Sequence, residues 1–311
     1  MYFPYLRGKQ FELIALRELA SAQKLDGDKI IPIVEPVKRG LKSVQTALRA
    51  LQPIGVKIQL IVNPQYGELV GKTNEIISFI DEQIGADVEN IIPTFLIHSD
   101  NDVALLQKVT TEKEYDSTGY ALVHLTPVRV VEQLSRYTKE TNCIYNTVHI
   151  NHVFALRRKF DKKAILGDYF RKQRINADYA NEIDETFSSD CFFYQEEGFN
   201  AFSDYQGIGA DWIEGGMLPK AVVIHMTYRD PGNDEIRIHH FVSDTNDDTL
   251  DIAGKFYEAV TKLVEFADVM EIESLAIQAF RDLHNRQAFP GLGSIKKLSI
   301  MHHIELIQGL I

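Results

Sequence analysis

Eight short apolar runs, rich in β-branched residues, each end in a side chain capable of chemistry, and this pattern constrains the fold more than any other feature of the chain. Ile30–Val34 runs into Glu35, Ile58–Val62 into Asn63, Ile91–Ile97 into His98 and Ala121–Val123 into His124. Ile144–Val148 runs into His149, Ala164–Gly167 into Asp168, Phe199–Ser203 into Asp204 and Ala221–Ile224 into His225. Apolar runs of this length, separated by helical stretches, read as buried parallel strands. The fold class is therefore α/β, a (β/α)8 barrel. All strand C-terminal ends of such a barrel open on one face, so eight such residues converge on one pocket.

A chain of 311 residues suits one barrel with extensions, and 45% hydrophobic with 25% charged residues suits a soluble globular core. The net charge of −11 argues against a general nucleic-acid coat protein. A local basic cleft stays open, because Arg157, Arg158, Lys159, Lys162, Lys163, Arg171, Lys172 and Arg174 cluster along the chain. Cys143 and Cys191 lack CxxC spacing, which disfavours a disulfide framework or a thiolate zinc site and points to a reducing cytoplasm. The start has no charged-then-apolar leader layout, and no apolar run approaches a membrane span. The expectation is a cytoplasmic protein without a membrane segment.

Helical periodicity covers Phe11–Ala22, Ser43–Leu51, Asn74–Gln83, Asp102–Val109 and Pro127–Thr138, with a weaker pattern over His152–Phe160. Regularity breaks after Asp168, at the end of the sixth run. A charged stretch, Arg171–Glu197, reads as a lid-like insertion over the barrel mouth. Pro231–Asp234 predicts a hairpin turn leading into Ile236–Val242. Helices are expected at Ile252–Phe266, Ile272–His284 and Lys296–Gln308. The chain reads as one domain, 1–311, with 268–311 a C-terminal helical extension.

Four of the strand-end residues are histidines: His98, His124, His149 and His225, with Asn151 two residues beyond His149. Imidazole serves acid–base chemistry near neutral pH and binds divalent metals. With Glu35, Asp168 and Asp204 on the same rim a divalent metal site is conceivable, although no HxH or HExxH spacing supports it; the alternative is that several histidines cap strands. Gly167-Asp168-Tyr169 and Ser203-Asp204-Tyr205 repeat an Asp-Tyr step, and two acids on neighbouring strands can divide into acid and base. Each aspartate could equally cap its loop. Gly207 and Gly209, followed by Glu214-Gly-Gly, lie where barrels hold phosphate, or else form a tight loop. Lys172 and Arg174 with Tyr179 suit an anionic, ring-containing ligand, or else keep the insertion solvated. His302 and His303 in the last helix could meet His239 and His240 around an anion, or pack. No GxSxG is present.

The segment Pro4-Tyr-Leu-Arg-Gly-Lys-Gln-Phe-Glu-Leu-Ile-Ala-Leu, followed by Ile30-Ile-Pro-Ile-Val-Glu-Pro, resembles the opening of the phage and bacterial "beta protein" family. Lys9, Glu12, Ala15, Leu16, Pro32 and Glu35 match that opening, while Phe11 stands where glycine is expected. Ser203-Asp-Tyr, Arg237-x-His-His-Phe-Val-Ser-Asp and Pro290-Gly-Leu-Gly look like a bacterial subgroup from mobile and defence-associated gene neighbourhoods. The resemblance implies a barrel-like fold and a nuclease-like partner protein, and carries no reaction.

Two functional expectations follow. One is an enzyme, hydrolase- or phosphodiesterase-like, acting on a phosphorylated or nucleotide-like ligand in a phage-defence setting that the resemblance implies. Its acid–base residues would come from Glu35, His98, His124, His149, Asp168 and Asp204. Asn63, Asn151, Lys172, Arg174, Gly207, Gly209 and His225 would line the ligand. The other is a non-catalytic barrel that binds a nuclease-like partner in a phage-defence module.

Overall fold

Phe3 and Tyr5 point one way and Tyr2 and Leu6 the other, and this two-residue period organises the molecule into an inner and an outer core. The computed structural model describes every residue except Ile213, Glu214, Gly216 and Met217, so the predicted Glu214-Gly-Gly loop falls largely outside the described residues. Eight parallel strands close into a barrel: β1 (Tyr2–Leu6), β2 (Ile33–Val34), β3 (Ile58–Ile61), β4 (Ile91–Ile97), β5 (Tyr120–His124), β6 (Cys143–His149), β7 (Lys163–Gly167) and, after an intervening β8 (Asp184–Ser188), β9 (Ala201–Asp204). Between them run α1 (Gln10–Ser21), α2 (Lys42–Leu51), α3 (Thr73–Ile84), α4 (Asp100–Glu112), a short α5 (Tyr115–Thr118), α6 (Val131–Glu140) and a single turn, α7 (Val153–Leu156).

The expected barrel is present, with one change of membership. The strand that closes it is β1, which pairs with β2 through Tyr5↔Ile33 and with β9 through Phe3↔Ser203. Pro4 interrupts the run and removes a ladder donor, so the segment does not read as a barrel strand. The run expected to be the eighth strand, Ala221–Ile224, instead feeds β10 (Val223–Arg229), which lies outside the barrel. The predicted turn explains why: Asp230 accepts the Gly232 N–H at 2.7 Å and its own N–H reaches the Glu235 carbonyl at 2.9 Å. This zips β10 antiparallel onto β11 (Ile236–Val242), with His225 opposite His240.

The charged insertion contains β8 and a one-turn α8 (Asp190–Phe193), and β8 completes a separate sheet in the order β10-β11-β8. Helices α9 (Ile252–Val269), α10 (Leu275–Asn285) and α11 (Leu292–Leu310) follow. No described helix is long and apolar enough to cross a membrane.

The helices bury one stripe each. Leu13, Leu16 and Leu19 of α1, Leu48 of α2, Ile76 and Ile80 of α3 and Leu106 of α4 cover the outward residues Leu6, Val34, Leu60 and Phe95. Each such side chain contributes roughly 1.5–3 kcal/mol by burial. At the top of β4, Ser99 starts α4: its N–H and hydroxyl donate to Asp102 Oδ2 at 2.8 and 2.9 Å. These contacts fix the strand ends, and with them the mouth.

Candidate functional site at the barrel mouth

Alternation decides which strand-end residues enter the mouth. Phe3, Tyr5, Ile31, Ile33, Ile61, Leu96, Ala121, Val123, Ala164, Leu166 and Ala201 fill the barrel interior, with Tyr145 against them. Continuing the same phase brings Arg7, Glu35, Asn63, His98, His149, Asp168 and Tyr205 to the rim.

Three predicted site residues do not meet there. His124 is out of phase with Ala121 and Val123, so it points into the outer core, 1% exposed. Its Nε2 lies 3.0 Å from Asn146 Oδ1, its ring 4.1 Å from that of Phe160, and burial lowers its pKa to about 4. Asp204 is likewise out of phase, and bonds outward to Tyr2 and His303. His225 sits on β10, its Nδ1 2.8 Å from His240 Nδ1, under the rings of Phe170 and Tyr179. Parity of one residue, or membership of the other sheet, removed each from the rim.

Glu35 does enter the mouth, but it is fully enclosed and its partners are all internal. It forms an ion pair with Arg7, and accepts the Tyr5 hydroxyl at 2.9 Å and the Gln65 N–H at 2.8 Å. Arg7 also donates to the Ala210 carbonyl at 2.6 Å and lies 4.5 Å from the centroid of Tyr66. Tyr66 stacks on Trp212 at 5.8 Å, and Lys9 Nζ stands 4.6 Å from the Trp212 ring. The β1–β3 side of the mouth is thus closed by an aromatic and cationic plug. Of these residues the sequence pointed only to Glu35. The signal for Arg7 was its place two residues after Tyr5, hidden with β1 itself, whereas Trp212 had none.

Asn63 also serves the architecture: its amide accepts the Leu96 N–H and donates to the Leu96 carbonyl, both at 2.8 Å, acting as a strand partner to β4. Gly209 has φ +71°, and a Cβ there would stand 3.1 Å from Phe170, so the tight-loop reading accounts for it. Gly207 has an ordinary negative φ and is buried beside Ile238. Lys172 pairs with Asp211 at 3.1 Å on the surface, and Arg174 is exposed.

The β4–β7 side is where polar rim groups stay accessible. His98 and Asn151 are exposed, and His149 is partly exposed. His149 Nδ1 accepts the Asn151 N–H at 3.3 Å, while burial and the neighbouring His152 lower its pKa. Asp168 is exposed on the next strand; partial desolvation, helped by the Asp211 charge, raises its carboxyl against the opposing N–H of Ala210. Among the described residues no three His, Cys, Asp or Glu side chains stand where they could hold a metal ion. A groove of about 630 Å³ lies elsewhere, between β11 and α9, lined by Ile183, His239, Phe241, Phe266 and Val269. The histidines that line it are already engaged, His239 by Asp184 at 2.9 Å and His240 by Glu185 at 3.2 Å, so the mouth, with its accessible strand-end groups, is the better candidate for chemistry.

No protein-family model, curated protein or solved structure matches the chain.

Proposed function

We propose that the barrel is an acid–base enzyme of hydrolase or phosphodiesterase type, taking a phosphorylated, nucleotide-like ligand at the β6–β7 side of its mouth. The observation that carries this reading is the placement of His149 and Asp168 at the ends of neighbouring strands. They occupy inward rim positions of neighbouring strands, Asp168 two residues beyond the Leu166 that faces His149. Because Nδ1 of His149 accepts a backbone N–H, the proton of its neutral ring rides on Nε2. The lowered pKa keeps the ring neutral at pH 7, a hydrogen-bond donor for an oxygen that gains charge. The raised carboxyl of Asp168 is the stronger base for that shift. In this reading Asp168 takes a proton from water, whose oxygen adds to phosphorus. The P–O bond to the leaving alcohol breaks, and the alcohol departs with that proton. His149 Nε2–H stabilises the phosphoryl oxygen throughout.

The test is release of p-nitrophenolate from bis(p-nitrophenyl) phosphate. Asp168→Asn and His149→Ala should each lower kcat about 100-fold or more with the melting temperature unchanged. No turnover by the wild-type protein, or full turnover by both variants, would sink the reading.

A second reading, binding of a nuclease-like partner in a defence module, draws support from the groove beside α9, where Ile183 and Val269 are 51% and 81% exposed. Co-purification in fixed ratio with a partner, lost on Val269→Asp, would favour it.

A further inference from the structure

The rim segment after β6 displays the most exposed large apolar side chain among the described residues: Phe154, 88% exposed. It is not a loose end. Val153 and Leu156, on either side of it in the same turn, are 9% and 2% exposed and anchor α7 to the outer core. Leaving a phenylalanine in water forgoes a burial that most folds would use. Arg157 holds its guanidinium 5.5 Å from the Phe154 ring centroid, and Arg158 beside it is exposed. Lys159 is engaged by Glu132, so the cations left to meet an anion on this turn are the two arginines. Ile150, 37% exposed, stands four residues before Phe154 and directly after His149.

One ring with one aliphatic neighbour is the size of a base, whereas protein-docking patches run to several hundred Å². An exposed ring with a guanidinium over one face and a second arginine next in the chain suits a single strand: a base stacks on the ring and phosphates meet the cations. The chain carries a net charge of −11, so a polyanion has to be held by cations gathered locally. We infer that this rim binds single-stranded nucleic acid, a base on Phe154 and its flanking phosphates on Arg157 and Arg158, with the strand leading toward His149. The inference rests on the mouth reading only for where the strand leads, since the contacts themselves involve neither His149 nor Asp168.

Fluorescence anisotropy of a labelled oligodeoxythymidylate of about 20 nucleotides, longer than the usual single-strand site, tests it. The protein should raise the anisotropy saturably. Phe154→Ala should weaken binding at least about fivefold, and Phe154→Trp should restore it. Arg157→Glu with Arg158→Glu should abolish binding, and alanine at both should flatten its salt dependence by the equivalent of about two phosphate contacts. Saturable, Phe154-dependent binding by a protein that does not turn over bis(p-nitrophenyl) phosphate would sink the catalytic reading and leave this one standing, which separates the two. Flat anisotropy with the wild-type protein would overturn the inference, as would unchanged affinity in Phe154→Ala and in the double charge reversal. If AMP raises the melting temperature while the oligonucleotide leaves anisotropy flat, the mouth remains a nucleotide site and the single-strand surface is refuted.

Discussion

Asp204 Oδ2 and His303 Nε2 meet 3.1 Å apart in a place where the two residues are 2% and 1% exposed. His303 Nδ1 lies 2.8 Å from the Thr227 hydroxyl, and Tyr2 donates to Asp204 Oδ1 at 2.6 Å. Threonine, histidine and aspartate in this order have the form of a nucleophilic relay, yet Thr227 is itself 2% exposed and no substrate reaches it. The chain of bonds joins β1, β9, β10 and α11. Burial alone would raise the Asp204 carboxyl; His303 and the donors Tyr2 and Gln206 hold it below its ordinary value. His302, the neighbouring residue, bonds to Ser274 and to the Thr227 carbonyl at 2.9 and 2.7 Å. The paired histidines of the last helix are therefore structural pins.

Asp204→Asn should cost about 3–5 kcal/mol, because it takes the charge from a buried, hydrogen-bonded pair. Hydrogen exchange should show α11 losing protection first. Equal protection in variant and wild type would contradict a pinning role.

For Arg7 and Glu35 the expectation is strong non-additivity. Arg7→Met alone leaves a buried carboxylate unpaired and should cost about 3–5 kcal/mol in urea unfolding. Adding Glu35→Gln should recover much of that loss. Additive losses would mean that the pair does not act as a unit.

Stability should fall between pH 6.5 and 4 through His124 and His302, whose pKa values are each lowered by burial from 6.5 to about 4. In that window the unfolded chain binds protons that the folded one refuses, so stability declines as pH drops. Each residue accounts for roughly 3 kcal/mol at most by pH 4. Asp190, raised by burial from 3.8 to about 6, works in the opposite sense: the folded state binds the extra proton, and its contribution is lost as pH rises toward 6. Unfolding curves across pH should therefore flatten in His302→Asn and steepen in Asp190→Asn. Parallel curves for all three proteins would contradict the assignment.

Replacing Lys172 and Arg174 by alanine should leave stability within about 0.5 kcal/mol, since both are exposed and the Lys172–Asp211 pair is solvated. Thermal melts check this, and an AMP titration of the same variant shows whether these cations assist a nucleotide at the mouth.

The barrel was legible because burying a parallel strand on both faces demands unbroken apolar runs, and seven of the eight runs read from the sequence enter it. Helix periods and the Pro231 hairpin were legible for the same local reason. Membership was not: whether Tyr2–Leu6 or Ala221–Ile224 closes the barrel depends on pairing between segments some 200 residues apart, and local pattern carries no trace of it. The site was legible only in part. That a polar residue ends each strand is a fact of sequence, but whether it faces mouth or outer core turns on a single step of alternation. That step kept His149 and Asp168 at the rim and sent His124 and Asp204 away from it. Burial and the Asn151 N–H then set the proton position of His149, just as the enclosure around Glu35 made a predicted catalytic acid into an anchor for Arg7. Composition and period determined what kind of fold this chain makes, because they act through neighbours in the chain. Long-range pairing and desolvation decided which of its polar groups can still do chemistry.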